Sequence, residues 1–405
     1  MEKNTSYFCY SCEEAYETGE FCPVCGEPLA VRCIAKLARN VFESRAESMW
    51  AYGALLPVAD AANIVSLGEG ATPLVDAPRL AKKAGFGQLL IKNEMANPTG
   101  SFKDRQVSAG ISHAREIGAD TVAVVSSGNV ACAAAAYAAR AGMNAYMFMH
   151  GHAASGKVAM ASLFGGKVVQ VDTPSAGAVF ELCVEACKRF GWYHLSTAGM
   201  YNAYNVEGSK TIAYELYQQT GGDLPDWLVA PVGGGGLLGG IWRGFLDLQR
   251  LGLIDRIPRL AGVQASGCAP LVKAIENGTS FLDTLKDPWP NPETIAGGIA
   301  DDIIFDGHTV LPAIRRTNGA AVAVDDDATL AGLKTLAELE GLLCEPTSAV
   351  AVAALNKLPE IGPKSRVCCV ITGSGAKDFK AAQASVPSPL RIEPSLDALD
   401  RALAS

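Results

Sequence analysis

Residues 97–105, NPTGSFKDR, place an amine where the chain leaves a Pro/Gly turn, and Lys103 is the residue there with the most chemistry to offer. An amine held at such a turn, out of bulk water, stays partly neutral and can act as a Schiff-base nucleophile. Ser101 can donate a hydroxyl to a phosphate, and the free amides of a helix opening at residue 104 would favour the same anion.

Three further loops carry groups of matching chemistry. Ser126, Ser127, Gly128 and Asn129 follow the apolar run TVAVVS and precede an alanine-rich stretch. There an asparagine can donate an amide hydrogen to a phenolate oxygen while serines and backbone amides face a carboxylate. Residues 231–237, PVGGGGL, set Gly233, Gly234, Gly235 and Gly236 after a strand, where consecutive amides converge on a phosphate. Gly234-x-Gly236-x-x-Gly239 also satisfies a dinucleotide fingerprint, but no convincing ribose-binding acid follows on a later strand. Residues 151–157 match GxxxxGK and run into Val158, without the magnesium-binding hydroxyl. Thr372 opens the loop TGSGAKD. A neutral hydroxyl there can bond a pyridine nitrogen without protonating it, which favours β-elimination and replacement over transamination.

A separate unit lies at the N-terminus. Cys9-x2-Cys12 and Cys22-x2-Cys25, nine residues apart, put four thiolates within tetrahedral reach of one metal. Zinc is the first choice, and iron in a rubredoxin-like site has the same geometry. The stretch is short and acidic, which suits a structural cap or an oligomer contact better than nucleic-acid recognition. The other eight cysteines (Cys33, Cys132, Cys183, Cys187, Cys268, Cys344, Cys368 and Cys369) lie in apolar stretches and read as buried small hydrophobes.

These loops need elements to hold them. Apolar β-branched runs at 89–92, 121–126, 145–149, 167–171, 227–232, 259–263 and 367–372 read as strands. Helical patterns at 34–52, 104–117, 131–141, 175–190, 208–220 and 328–340 lie between or before them, with Pro57 closing off the first. Strand–helix alternation implies parallel βαβ units and a doubly wound sheet, whose ligands bind beyond the carboxyl ends of the strands. A short amphipathic helix is expected from about Ser395, after a proline-rich stretch.

The composition agrees with a compact α/β enzyme: 405 residues, 49% hydrophobic, 42 of them glycine. A net charge of −8 argues against nucleic acid as a partner. No run approaches 18 apolar residues, and the first residues have neither a basic nor an apolar signal region, so a cytoplasmic protein with no membrane span is expected. Twelve cysteines fit a reducing compartment.

Taken in order, the lysine segment and the three loops resemble those of fold-type II pyridoxal phosphate enzymes, and residues 97–105 resemble the cofactor-lysine segment of threonine synthases. Residues 68–74 (GEGATPL), 49–58 (MWAYGALLPV), 205–211 (NVEGSKT) and 345–349 (EPTSA) resemble further segments of that branch, some members of which carry a cysteine-rich N-terminal ribbon. The resemblance implies two doubly wound parallel-sheet domains with the active site between them. Residues 1–30 would form a zinc-ribbon-like module and 31–385 the catalytic body, with a smaller subdomain of about 106–200 inserted in it. Residues 386–405 would be appended. It also implies roles: Lys103 as the covalent anchor of pyridoxal 5′-phosphate and mover of protons, Asn129 on the cofactor's 3′ oxygen, Gly233–Gly236 on its phosphate, Thr372 on its ring nitrogen. Ser126, Ser127 and Gly128 would grip the substrate carboxylate.

The activity so implied is threonine synthase, making threonine and phosphate from O-phosphohomoserine and water, in a homodimer. Several positions depart from that branch. Val130 stands where threonine is usual, Gly234 for asparagine, Ser374 for histidine and Gln106 for glycine, while residues 294–300 (TIAGGIA) look more like the dehydratase and diaminopropionate ammonia-lyase branches. A related ammonia-lyase or cysteate-synthase-like β-replacement enzyme is therefore the alternative, and a non-catalytic protein that binds through its ribbon is a third reading.

Overall fold

A computed structural model describes residues 5–33, 38–150, 155–173, 175–358, 361–378, 383 and 389–403. Three short strands, β1 (Thr5–Cys9), β2 (Glu14–Tyr16) and β3 (Ala30–Cys33), form an antiparallel sheet in the order β2-β1-β3. Strands β4 (Leu74–Asp76), β5 (Gln88–Asn93), β10 (Trp227–Pro231), β11 (Arg259–Ala265), β12 (Ala320–Val324) and β13 (Arg366–Ile371) build the larger sheet in the order β12-β11-β10-β13-β5-β4. Strands β6 (Thr121–Val125), β7 (Asn144–His150), β8 (Lys167–Val171) and β9 (Tyr193–His194) build a smaller one in the order β8-β7-β6-β9.

Both larger sheets are covered on two faces, which is why their central strands are apolar throughout rather than alternating. Every residue of β10 is buried. One face of the six-stranded sheet packs on α6 (Thr211–Gln219), α7 (Gly236–Arg250), α8 (Pro270–Glu276), α9 (Phe281–Thr284) and α10 (Gly307–Arg316). The other packs on α1 (Pro78–Ala84), α11 (Asp326–Glu340) and α12 (Pro346–Ala353). The four-stranded sheet lies between α2 (Lys103–Glu116), α3 (Asn129–Ala141) and α4 (Ser155–Leu163) on one side and α5 (Ala176–Phe190) on the other. A last helix, α13 (Leu396–Leu403), buries little beyond Ala398.

The expected α/β architecture is the observed one, with some corrections. All pairings in the two larger sheets are parallel except that of β4 with β5, which closes one edge antiparallel. The single helix expected over 34–52 is two 3-10 turns, Ala38–Phe42 and Met49–Leu55; its first residues, 34–37, lie outside those described. Tertiary contacts override the helical pattern here. The Phe42 ring meets Tyr52, Tyr214 and Tyr217 at 5.5, 5.8 and 5.6 Å. Residues 208–220 begin instead as a 3-10 segment, Asn205–Lys210, which lies so close to α2 that a Cβ on Gly208 would collide with the Arg105 carbonyl. Strand β12 and helices α10 and α12 were not expected from the sequence, whereas α7 starts at Gly236, where the glycine loop implies a helix N-terminus. The 151–157 match and the 385/386 boundary fall at least partly outside the described residues.

Candidate active site

The loops that follow β5, β10 and β13 open at the carboxyl ends of neighbouring parallel strands, and so meet in one place. Residues 97–102 turn from β5 into α2, with Gly100 at φ +77°, a conformation that suits glycine. Thr99 donates its backbone N–H and its hydroxyl to Asp104 at 2.7 and 2.5 Å, tying the turn to the helix it precedes. Lys103 occupies the first turn of α2. Its Nζ donates to Gln106 Oε1 at 3.1 Å and to Thr197 Oγ1 at 3.2 Å. The side chain is half-buried, its amine opening on a cleft of about 590 Å³. Crowding by protein atoms pushes the amine down to about 8, against the pull of Asp301 and Asp306.

The helix carrying this amine is held by charge. Arg105, fully buried, donates to Glu94 at 2.7 and 2.8 Å and to Glu215 at 2.8 Å, and Lys92 reaches Glu215 at 2.6 Å. Burial alone would raise the Glu215 carboxyl, but Arg105 and Lys92 outweigh it and hold it down at about 2. A second carboxylate, Glu69, accepts from Trp50 Nε1 at 2.8 Å, from Ser108 of α2 at 2.5 Å and from Tyr137 of α3 at 2.7 Å.

Lys103, the four glycines and Thr372 line the same cleft. The glycine loop leads from β10 into α7, with Gly235 at φ +102° as the residue before the helix. A Cβ on Gly235 would come within 2.7 Å of Val310, and one on Gly236 within 2.9 Å of Asp306. Only glycines leave this cradle open, with backbone amides at a helix start. Thr372 is buried, its hydroxyl 2.8 Å from Ser348 Oγ, and its carbonyl accepts from Phe102 N at 2.9 Å. Asn129 opens α3 and donates to Glu345 Oε1 at 2.8 Å, beside Gly373. Its Oδ1 and the Ser101 hydroxyl are buried without a partner among the described residues. Ser126, Ser127 and Gly128 do not line the cleft; Gly128 N bonds Ser126 Oγ at 3.1 Å in a turn of their own.

Several contributors were given no role by the sequence. Thr197, on the stretch after β9, holds Lys103; Ser348, within the EPTSA segment, holds Thr372. Asp301 and Asp306 face the glycine loop; the only hint was the acidic DD after TIAGGIA. Phe180, His194, Tyr201 and Phe305 form an aromatic wall, Phe180 lying 4.7 Å from Tyr201. Burial holds His194 down at about 4, so this wall is neutral at pH 7.

An amine pushed down to about 8, a phosphate-shaped cradle and a neutral hydroxyl in one cleft suit a phosphorylated aldehyde with a heteroaromatic ring. A family model for "Pyridoxal-phosphate dependent enzyme" matches residues 65–373. The chain belongs to that family. Relatives that it matches over most of their length include threonine synthases. That of Methanocaldococcus jannaschii is 36% identical, covering 98% of each chain, and that of Methanosarcina acetivorans is 37% identical over 91% of this chain and 89% of its own. The Synechocystis threonine synthase is 35% identical over 94% of each. Among solved structures, threonine deaminase isoform 2 of Solanum lycopersicum has a TM-score of 0.67 at 22% identity, covering 82% of this chain and 89% of its own. Maize serine racemase has a TM-score of 0.66 at 22% identity, covering 77% and 91%. These last two speak for the fold, which is the fold-type II architecture.

Proposed function

We propose that the chain is a pyridoxal 5′-phosphate-dependent threonine synthase, converting O-phosphohomoserine and water to threonine and phosphate. The observation that carries this reading is the Lys103 amine in the cleft under the glycine loop, in a chain whose full-length relatives are threonine synthases. Pyridoxal phosphate, when bound, supplies the electron sink for bonds at the substrate's α carbon. Gly233, Gly234, Gly235 and Gly236 hold its phosphate with loop amides, and Thr372, kept in place by Ser348, meets its ring nitrogen without protonating it. Asn129 bonds its 3′ oxygen. Lys103 would anchor it and would move protons at the α and β carbons. Ser126, Ser127 and Gly128, whose turn stands off the cleft, would reach the substrate carboxylate only after that turn moves toward it, and the aromatic wall excludes water.

The N-terminal unit is read as a structural zinc site. Cys9 and Cys25 Sγ lie 3.5 Å apart, Cys12 and Cys22 Sγ 3.8 Å apart, and all four thiols fall within 4.8 Å of one another. Zinc–sulfur bonds of about 2.3 Å in a tetrahedron demand sulfur–sulfur edges of about 3.8 Å. The ribbon caps the body: the Tyr10 ring packs on Trp242 of α7 at 5.0 Å, and Arg316 of α10 donates to the Tyr10 carbonyl at 2.6 Å. A homodimer working in the cytoplasm completes the reading, in which residues 1–30, 31–385 (with about 106–200 inserted) and 386–405 form the ribbon, catalytic body and appended tail.

The test is a spectral and turnover screen. Threonine and phosphate should form from O-phosphohomoserine, with a change in cofactor absorbance. A second reading, a related elimination or β-replacement enzyme for another amino acid, draws on Val130, whose apolar side chain packs toward the core where a hydroxyl is usual. Silence with O-phosphohomoserine and a response to another amino acid would decide for it.

A further inference from the structure

Asp301 and Asp306 bring carboxyl groups to the cradle itself, and burial pushes that of Asp306 up to about 7. A Cβ on Gly233 would lie 2.5 Å from Asp301 Oδ2, and one on Gly234 3.4 Å from the same oxygen. Asp306 sits deeper, its Oδ1 accepting from Gly199 N at 2.7 Å and its own backbone N–H donating to the Gly234 carbonyl at 2.6 Å. Two anions a few ångströms apart repel strongly where water is scarce. A phosphate drawn into this loop therefore competes with the Asp301 carboxylate for the same space.

We propose that Asp301 is an internal placeholder for the cofactor phosphate: its carboxylate lies against Gly233 and Gly234 in the cleft that Lys103 also lines, and the phosphate displaces it on binding. The proposal rests on the reading of the glycine loop as the phosphate site. The exchange is a side-chain rotation, because the backbone that follows the carboxylate is pinned. The Cys268 thiol donates to the Asp301 carbonyl at 3.1 Å, and Trp289 N donates to the Asp302 carbonyl at 2.7 Å. The Asp301 side chain is only half-buried and borders the cleft, so it has somewhere to go. Burial raises its carboxyl, and Lys103 opposes that shift. Both effects belong to a carboxylate poised beside an amine and short of solvent.

The probe is pyridoxine 5′-phosphate, which carries ring and phosphate but no aldehyde and so cannot bond Lys103. Its affinity is measured by calorimetry at fixed pH and salt for the wild type, Asp301→Asn, Asp301→Ala and Asp302→Asn. Asp302 is exposed at the cleft rim and carries the same charge without facing the loop. Binding should tighten roughly tenfold in both Asp301 variants and by less than about threefold in Asp302→Asn, whose charge is screened. Unchanged or weaker binding in the Asp301 variants would overturn the placeholder and make Asp301 a group that positions the cofactor. Equal tightening in Asp302→Asn would overturn it in favour of general charge. No binding by any of the four proteins would instead remove the phosphate reading of the loop, and the placeholder with it.

Discussion

Lys103 combines two demands that oppose each other: it must be reachable through the cleft, yet too poorly solvated to stay charged. The amine, ordinarily near 10.5, is pushed down to about 8. Between those values the unfolded chain binds more protons than the folded one, so stability rises with pH across that window and the charged amine is a burden below it. Replacing Lys103 by alanine should thus leave melting temperature at pH 7 unchanged or higher while lowering turnover by roughly 10²–10⁴-fold or more. Calorimetry and a threonine assay check the two halves. Uptake of pyridoxal phosphate by cofactor-free protein, followed by absorbance, should quicken as pH rises through about 8, where the neutral amine takes over. A rate flat from pH 6.5 to 9 would show that another step governs uptake. This residue was legible in the sequence because its turn, its serine and its helix start all lie within a few positions.

At the scale of elements, the placement of α2 depends on partners that no local pattern announces. Arg105 and Glu215 are 110 residues apart in the chain and both buried. Removing one partner strands a buried charge, so Arg105→Ala should cost about 3–5 kcal/mol in urea unfolding. Glu215, held down at about 2 against an ordinary 4.5, contributes stability that is present above pH 4.5 and lost as pH falls through about 2. Glu215→Gln should therefore flatten the acid limb of the stability curve. The ribbon is the opposite case, readable from spacing alone because two CxxC knuckles bring their own ligands. Metal analysis should find about one metal ion per chain, absent after Cys22→Ser with Cys25→Ser; full metal content in that double variant would refute the site.

For the whole molecule, the site lies where strand ends from far-apart segments meet, so ligand and fold are coupled. Bound cofactor should raise unfolding free energy by about 2.7 kcal/mol at 100 times its dissociation constant, measured on Lys103→Ala with pyridoxine 5′-phosphate so that no covalent bond contributes. Sedimentation at micromolar concentration should give twice the 42.2 kDa chain mass. A monomer there would remove the homodimer from the reading.

The sequence by itself determined the cofactor chemistry and the alternation of strands and helices. The demands behind them are short-ranged: a left-handed glycine, an absent Cβ, free amides at a helix start, an apolar run. Where the pattern misled, as at 34–52 and 208–220, side chains and backbones from distant segments outweighed local helical preference. Only the tertiary structure decided what surrounds the amine. The order β12-β11-β10-β13-β5-β4 brings β5 beside β13, and so Lys103 beside Thr372 and Ser348. The fold likewise sets Thr197 on the amine and Asp301 on the glycine loop. Those contacts join residues tens to hundreds of positions apart, and burial strengthens their charges only once the sheets have packed.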